Sequence, residues 1–130
     1  MGRLPLVLLL SADPLAQLVV GSGLLTYGYD VALAGTEAEA LHHLQSRRVC
    51  VLVADVDTDL QTIFALVRAA RKADPALAVI YTARMPSKLP DREKVAGAPC
   101  LRTPYHPHQL VSLIGQLTRR GTSDDESNAA

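Results

Sequence analysis

Three short aliphatic runs, Leu6–Leu10, 49–54 and 77–81, are separated by stretches with the period of an amphipathic helix. This alternation limits the chain to very few folds. A continuous apolar run has no polar face, so a strand made from it must be covered on both sides. The intervening helices are what can cover it. Strand and helix in repeated alternation imply a parallel sheet with helices on both faces.

The local signals agree. Asp13 is placed to cap the first helix, with Pro14 at its first position and Gly28 at its end. Leu15, Leu18, Val19, Leu24 and Leu25 supply its apolar residues, while Gly21 and Gly23 each weaken it by about 1 kcal/mol relative to alanine. Residues 29–34 read as a second strand. Thr36 and Glu39 form a capping box, and Ala40, Leu41 and Leu44 are the inner face of the helix that follows. The third strand, 49–54, ends at Asp55. Leu60–Ala73 is helical, with Ile63, Leu66, Val67 and Ala70 on one face, and Asp74-Pro75 closes it.

The fourth strand, 77–81, ends at Thr82. Pro86 and Pro90 leave room for only a short helix beginning near Pro90. Residues 100–103 form a weak fifth strand and 107–118 the last helix. Right-handed crossovers then favour the flavodoxin-like order 2-1-3-4-5. The expected fold is an α/β three-layer sandwich, a (βα)5 unit with a five-stranded parallel sheet. One domain covers residues 1–120, and the small, polar and acidic residues 121–130 read as a disordered tail.

Charge narrows the function. The 13 basic and 13 acidic residues cancel, which argues against a chain whose main task is gripping nucleic acid. Aromatic residues are 4% of the chain, so its core must be aliphatic. Cys50 and Cys100 lie in apolar runs and read as buried thiols in a reducing compartment. The apolar run near the N-terminus stops at Ser11-Ala12-Asp13-Pro14. It is too short to span a membrane or serve as a secretory signal, and a cytoplasmic location is expected.

In sheets of this kind ligands bind outside the carboxyl ends of the strands. The residues expected there are Ser11, Ala12 and Asp13, then Asp55 and Asp57, then Thr82, then Thr103. Other motifs carry less. Gly21-Ser22-Gly23 lies in mid-helix rather than after a strand, which does not suit a dinucleotide loop. His42-His43 and His106-Pro107-His108 lack the cysteine or acidic partners of a zinc site. Neither a nucleophile–histidine pairing nor a phosphate-cradling loop is visible, so no enzyme activity is expected.

Several landmarks fall in a familiar register. Asp13-Pro14 follows the first strand, and Gly28-Tyr29 begins fourteen residues after that proline. Glu39-Ala40-Leu41 lies in the second helix, Asp55 ends the third strand and Thr82-Ala83 the fourth. Gly97-Ala98 begins fifteen residues after Thr82, and Thr103-Pro104 ends the fifth strand. Over residues 4–120 the chain resembles the receiver domain of bacterial response regulators. The resemblance implies that Asp55 is the phosphoacceptor position and that the Thr82 hydroxyl contacts the phosphoryl group. It also implies that a magnesium ion sits against Asp55 and the backbone carbonyl of Asp57.

The departures from that family are concentrated in the site. Its two acidic magnesium positions are Ser11 and Ala12 here, its lysine is Thr103, and its aromatic switch falls at Cys100. The segment Val56-Asp57-Thr58-Asp59-Leu60 replaces a hydrophobic-Pro-Gly loop. Asp13, Asp57 or Asp59 would have to substitute for the lost carboxylates, and Arg84 or Lys88 for the lost lysine. Phosphoryl transfer depends on positioning and charge stabilisation, so weak magnesium binding and slow or absent phosphorylation are expected.

Two functional expectations follow. One is a receiver in phosphorelay signalling that accepts a phosphoryl group on Asp55 from a histidine kinase. The alternative is a pseudo-receiver that binds a signalling protein without phosphorylation. The first helix, almost uncharged between Pro14 and Gly28, leaves two readings level: an ordinary tolerant surface, or a face for a partner or a homodimer.

Overall fold

The computed structural model describes the backbone of residues 4–57 and 59–129, and side chains as far as 118. Five strands form one parallel sheet: β1 (Leu6–Leu10), β2 (Asp30–Ala34), β3 (Val51–Asp55), β4 (Ala78–Ala83) and β5 (Cys100–Arg102). Their order is β2-β1-β3-β4-β5, as the alternation of runs predicts. Every residue of β1 is buried, which is why that segment carries no polar side chain.

Among the described residues four helices flank the sheet: α1 (Pro14–Thr26), α2 (Glu37–Ser46), α3 (Leu60–Ala73) and α4 (Pro107–Ala129). Leu8, Leu52, Phe64, Val67 and Tyr81 lie in the core beneath α2 and α3. Val7, Val53, Leu24, Leu110 and Ile114 lie in the core beneath α1 and α4. The sheet is thus sealed on both faces. Gly23 brings α1 against α4, since a Cβ there would come within 2.4 Å of the Pro107 Cβ.

Three expectations need adjustment. The fourth crossover contains no α-helix, so the unit is not five full strand–helix repeats. Two short 3-10 turns, Pro86–Lys88 and Asp91–Glu93, replace it. Each proline removes an N–H that a continuous helix would need. Cys50 is exposed rather than buried, because it precedes β3 at the lower margin of the sheet beside Leu4 and Arg47. Finally, α4 runs past the expected end at residue 118. The side chains of residues 119–130 lie outside the described set, and so does the looseness expected of 121–130.

Candidate functional site

The strand ends meet as expected of a parallel sheet. Asp55, the last residue of β3, pairs in register with Thr82 on β4. Asp55 is half-buried, and Thr82 is buried at 3% exposure. Thr103 follows β5 directly and donates its N–H to the Ala83 carbonyl at 2.9 Å. A cleft of about 500 Å³ opens over these ends, between α1 and the segment after β5. Asp13, Asp55, Asp57, Arg84, Thr103 and Tyr105 line its polar part, while Leu15 and Val19 supply an apolar wall. Asp55 also borders a smaller cleft of about 210 Å³ on its other side, towards Asp59 and Thr62.

Three further aspartates stand around Asp55, and each is already engaged. Asp13 caps α1, its Oδ1 accepting from the Leu15 N–H at 3.0 Å. Asp57 accepts the Arg84 backbone N–H at 3.0 and 3.3 Å and faces the Arg84 guanidinium at 3.6 Å. Asp59 caps α3, accepting from the Thr62 N–H at 3.2 Å and the Thr62 hydroxyl at 2.7 Å. The Thr62 hydroxyl bond also holds the Asp59 carboxyl below its ordinary range. Each cap satisfies a helix N–H that would otherwise lack a partner.

Ser11 is buried, and its Oγ accepts from the Asp13 N–H at 3.2 Å. Ala12 beside it is exposed and offers no ligand atom on its side chain. Arg84 reaches the cleft, but Lys88 and Arg102 do not line it.

Burial pushes the Asp55 carboxyl above its ordinary range. The Asp57 N–H donates to its Oδ1 at 3.2 Å and works the other way. The carboxylates of Asp57 and Asp13 add to the rise, and Arg84 opposes it. Tyr105 is a wall residue that the sequence reading did not single out. Burial pushes its hydroxyl up to about 12, with the charge of Asp55 adding to the effect.

These donors do not fit a magnesium ion well. Magnesium asks for oxygen ligands in near-octahedral order, usually including one or two free carboxylates. Among the described residues no group of three or more His, Cys, Asp or Glu side chains could hold a metal. Asp55 is the one aspartate here whose carboxylate is neither a helix cap nor bound to Arg84.

No protein-family model matches the chain, and no curated protein matches its sequence. Solved structures do match in shape. The chemotaxis response regulator CheY4 of Vibrio cholerae is 26% identical, with a TM-score of 0.77 over 88% of this chain and 99% of that one. A CheY-like response regulator receiver domain protein from Methanospirillum hungatei JF-1 is 21% identical, with a TM-score of 0.78 over 93% and 99%. The signal receiver domain of an HD domain-containing protein from Pseudomonas fluorescens Pf-5 is 18% identical, with a TM-score of 0.78 over the same shares.

The chain therefore has the fold of CheY-like receiver domains, a five-stranded member of the flavodoxin-like class. No helix among the described residues is long and apolar enough to cross a membrane.

Proposed function

We propose that this chain is a response-regulator receiver domain of phosphorelay signalling, with Asp55 at the phosphoacceptor position and a histidine kinase or another signalling protein as its partner. The pairing of Asp55 with Thr82 at the carboxyl ends of β3 and β4 supports this reading. We further infer that it works mainly as a pseudo-receiver, docking its partner without being phosphorylated. The observation that carries this finer reading is the engagement of Asp13, Asp57 and Asp59 in caps and in the Arg84 pair.

The chemistry makes the point. In transfer from acetyl phosphate, an Asp55 oxygen would form a bond to phosphorus while the bond from phosphorus to the acetate oxygen breaks. Negative charge spreads over the phosphoryl oxygens as this happens and needs cations placed in advance. Arg84 is the cation that lines the cleft, and it is 80% exposed and turned to Asp57. Thr103 stands where the family resemblance puts a lysine, and it carries no charge.

Intact mass after incubation with magnesium and acetyl phosphate tests this, with Asp55→Asn run in parallel. The expected result is no phosphoryl adduct above the level of the variant. A single adduct that Asp55→Asn lacks would overturn the pseudo-receiver reading and leave the acceptor reading standing.

A further inference from the structure

The outward face of α1 is chemically unlike the rest of the surface. No charged residue lies within Pro14–Thr26. Leu15 and Leu18 are each 66% exposed, Leu25 58% and Val19 49%. Val20, Gly21 and Leu24 already fill the inner face, so these side chains are not needed by the core. By contrast α2 carries Glu37 and Glu39 in its first turn, and α3 carries Arg71 and Lys72 in its last.

The exposed residues are ordered. Positions three and four apart share a helix face. Leu15, Leu18, Ser22 and Leu25 follow a three-four-three spacing, which is the seam of a two-helix coiled coil. Leu33, 43% exposed on the edge strand β2, stands beside α1, its Cδ2 lying 3.5 Å from where a Gly21 Cβ would stand. Several exposed apolar side chains on one uncharged helix face suit a contact site.

We propose that this stripe is the contact between two copies of the chain, with their α1 helices packed antiparallel about a two-fold axis. The stripe complements itself in that arrangement. With the axis at the level of residue 20, Leu15 lies over Leu25 of the second copy and Leu18 lies over its Ser22. A large side chain thus meets a small one, which allows the helix axes to approach to about 8–10 Å. Such an interface is isologous and closes on itself, so it yields a dimer rather than a fibre.

Electrostatics agree with a second copy as the occupant. The facing helices carry no like charges to repel, the chain is neutral overall, and antiparallel helices align their dipoles favourably. The apolar area is modest, on the order of 300 Å² per copy if each exposed side chain is scaled from its burial free energy. That lies below the size of a stable interface, so a weak, transient association is expected, and concentrations of about 0.1 mM, within the micromolar-to-millimolar range, are the ones to sample. This inference is independent of whether Asp55 is phosphorylated.

Sedimentation equilibrium of the full chain, from roughly tenfold below to tenfold above that concentration, provides the test. The apparent mass should climb from the monomer value towards twice it. Leu18→Lys should weaken association at least tenfold, and Ser22→Glu should do the same. Combining them should recover most of the loss, because the introduced lysine then faces the introduced glutamate across the two-fold axis. Both sites are exposed, so circular dichroism should report an unchanged fold in every variant. A monomer at all concentrations would overturn the proposal. So would association that survives both single changes, or a double variant no better than either single one.

Discussion

The first three crossovers and the fourth solve one problem in different ways. Each of the first three is an α-helix with a side-chain N-cap, from Asp13, Thr36 and Asp59 respectively. Their hydrogen bonds are internal, and their buried faces hold them to the sheet. The fourth contains Pro86 and Pro90, and neither of its 3-10 turns has a side-chain cap. It is tied down from outside instead. Arg68 donates to Glu93 Oε2 at 2.9 Å, Arg71 donates to the Ala96 carbonyl at 2.9 Å, and the Val95 N–H donates to the Tyr81 hydroxyl at 3.1 Å. Its local hydrogen bonds stop at short turns, such as Leu89 N–H to the Pro86 carbonyl at 3.1 Å, so side chains of the frame do more of the holding, and this segment is expected to open first.

The largest test of this contrast is Phe64→Ala. Phe64 on α3 is fully buried, and its ring meets that of Tyr81 edge-on at 5.4 Å. Its loss should cost about 3–5 kcal/mol in urea denaturation, as one cooperative transition. A cost below about 1 kcal/mol would mean that the helical crossovers do not carry the core.

A smaller and more local effect is expected of Tyr81→Phe. The ring and its packing remain, but the Val95 N–H loses its acceptor. The global cost should be about 0.5–1.5 kcal/mol. Amide exchange should accelerate around residues 93–98 and stay unchanged in α1, α2 and α3. Faster exchange spread evenly over the domain would erase the distinction between the crossovers.

The smallest effect lies at the seam between the two regions, where Asp57 binds Arg84. Burial raises the Asp55 carboxyl there, so the folded state disfavours its charge. The unfolded chain loses its proton near the ordinary value of 3.8. Stability tied to the protonated form is therefore present below that pH and is lost as pH rises through the folded value. Asp55→Asn should raise the Tm by a few degrees at neutral pH, with the partial exposure of the group limiting the gain. The advantage over the parent should shrink as pH falls through the raised folded value and be gone below 3.8. A variant less stable than the parent at neutral pH would show that Asp55 is held by interactions favouring its charged form.

The sheet was legible because aliphatic runs such as Leu6–Leu10 have no polar face, and a buried parallel strand is their simplest use. The helix starts were legible because Asp13 and Thr36 advertise caps. The order of the site was legible too, since strand ends share one edge of a parallel sheet. What the aspartates do there was not. Asp13, Asp57 and Asp59 look like spare ligands in a string of letters, yet two are caps and one holds Arg84, a residue 27 positions away. Tyr105 escaped notice because the cleft wall it forms needs α1, more than 80 residues earlier in the chain, to make it a wall. Its one available signal was an aromatic ring just beyond a strand in a chain poor in aromatics. Cys50 reads as buried because its apolar neighbours hide the fact that it precedes the sheet edge.

The register of Asp55 with Thr82 has an engineering consequence. If Asp55 is an acceptor as proposed, its pairing with Thr82 makes side chains the first thing to change in refitting the site. Ala12 is exposed at the end of β1, and Ala12→Asp would add a carboxylate with little steric resistance. Ser11→Asp would be harder, because it removes the hydroxyl that accepts the Asp13 N–H and puts a carboxylate in a buried place. Thr103→Lys would bring a cation to the cleft without touching the Thr103 N–H that binds Ala83. The parent and the refitted chain would differ by three functional groups, and a comparison of the two would isolate what those groups do.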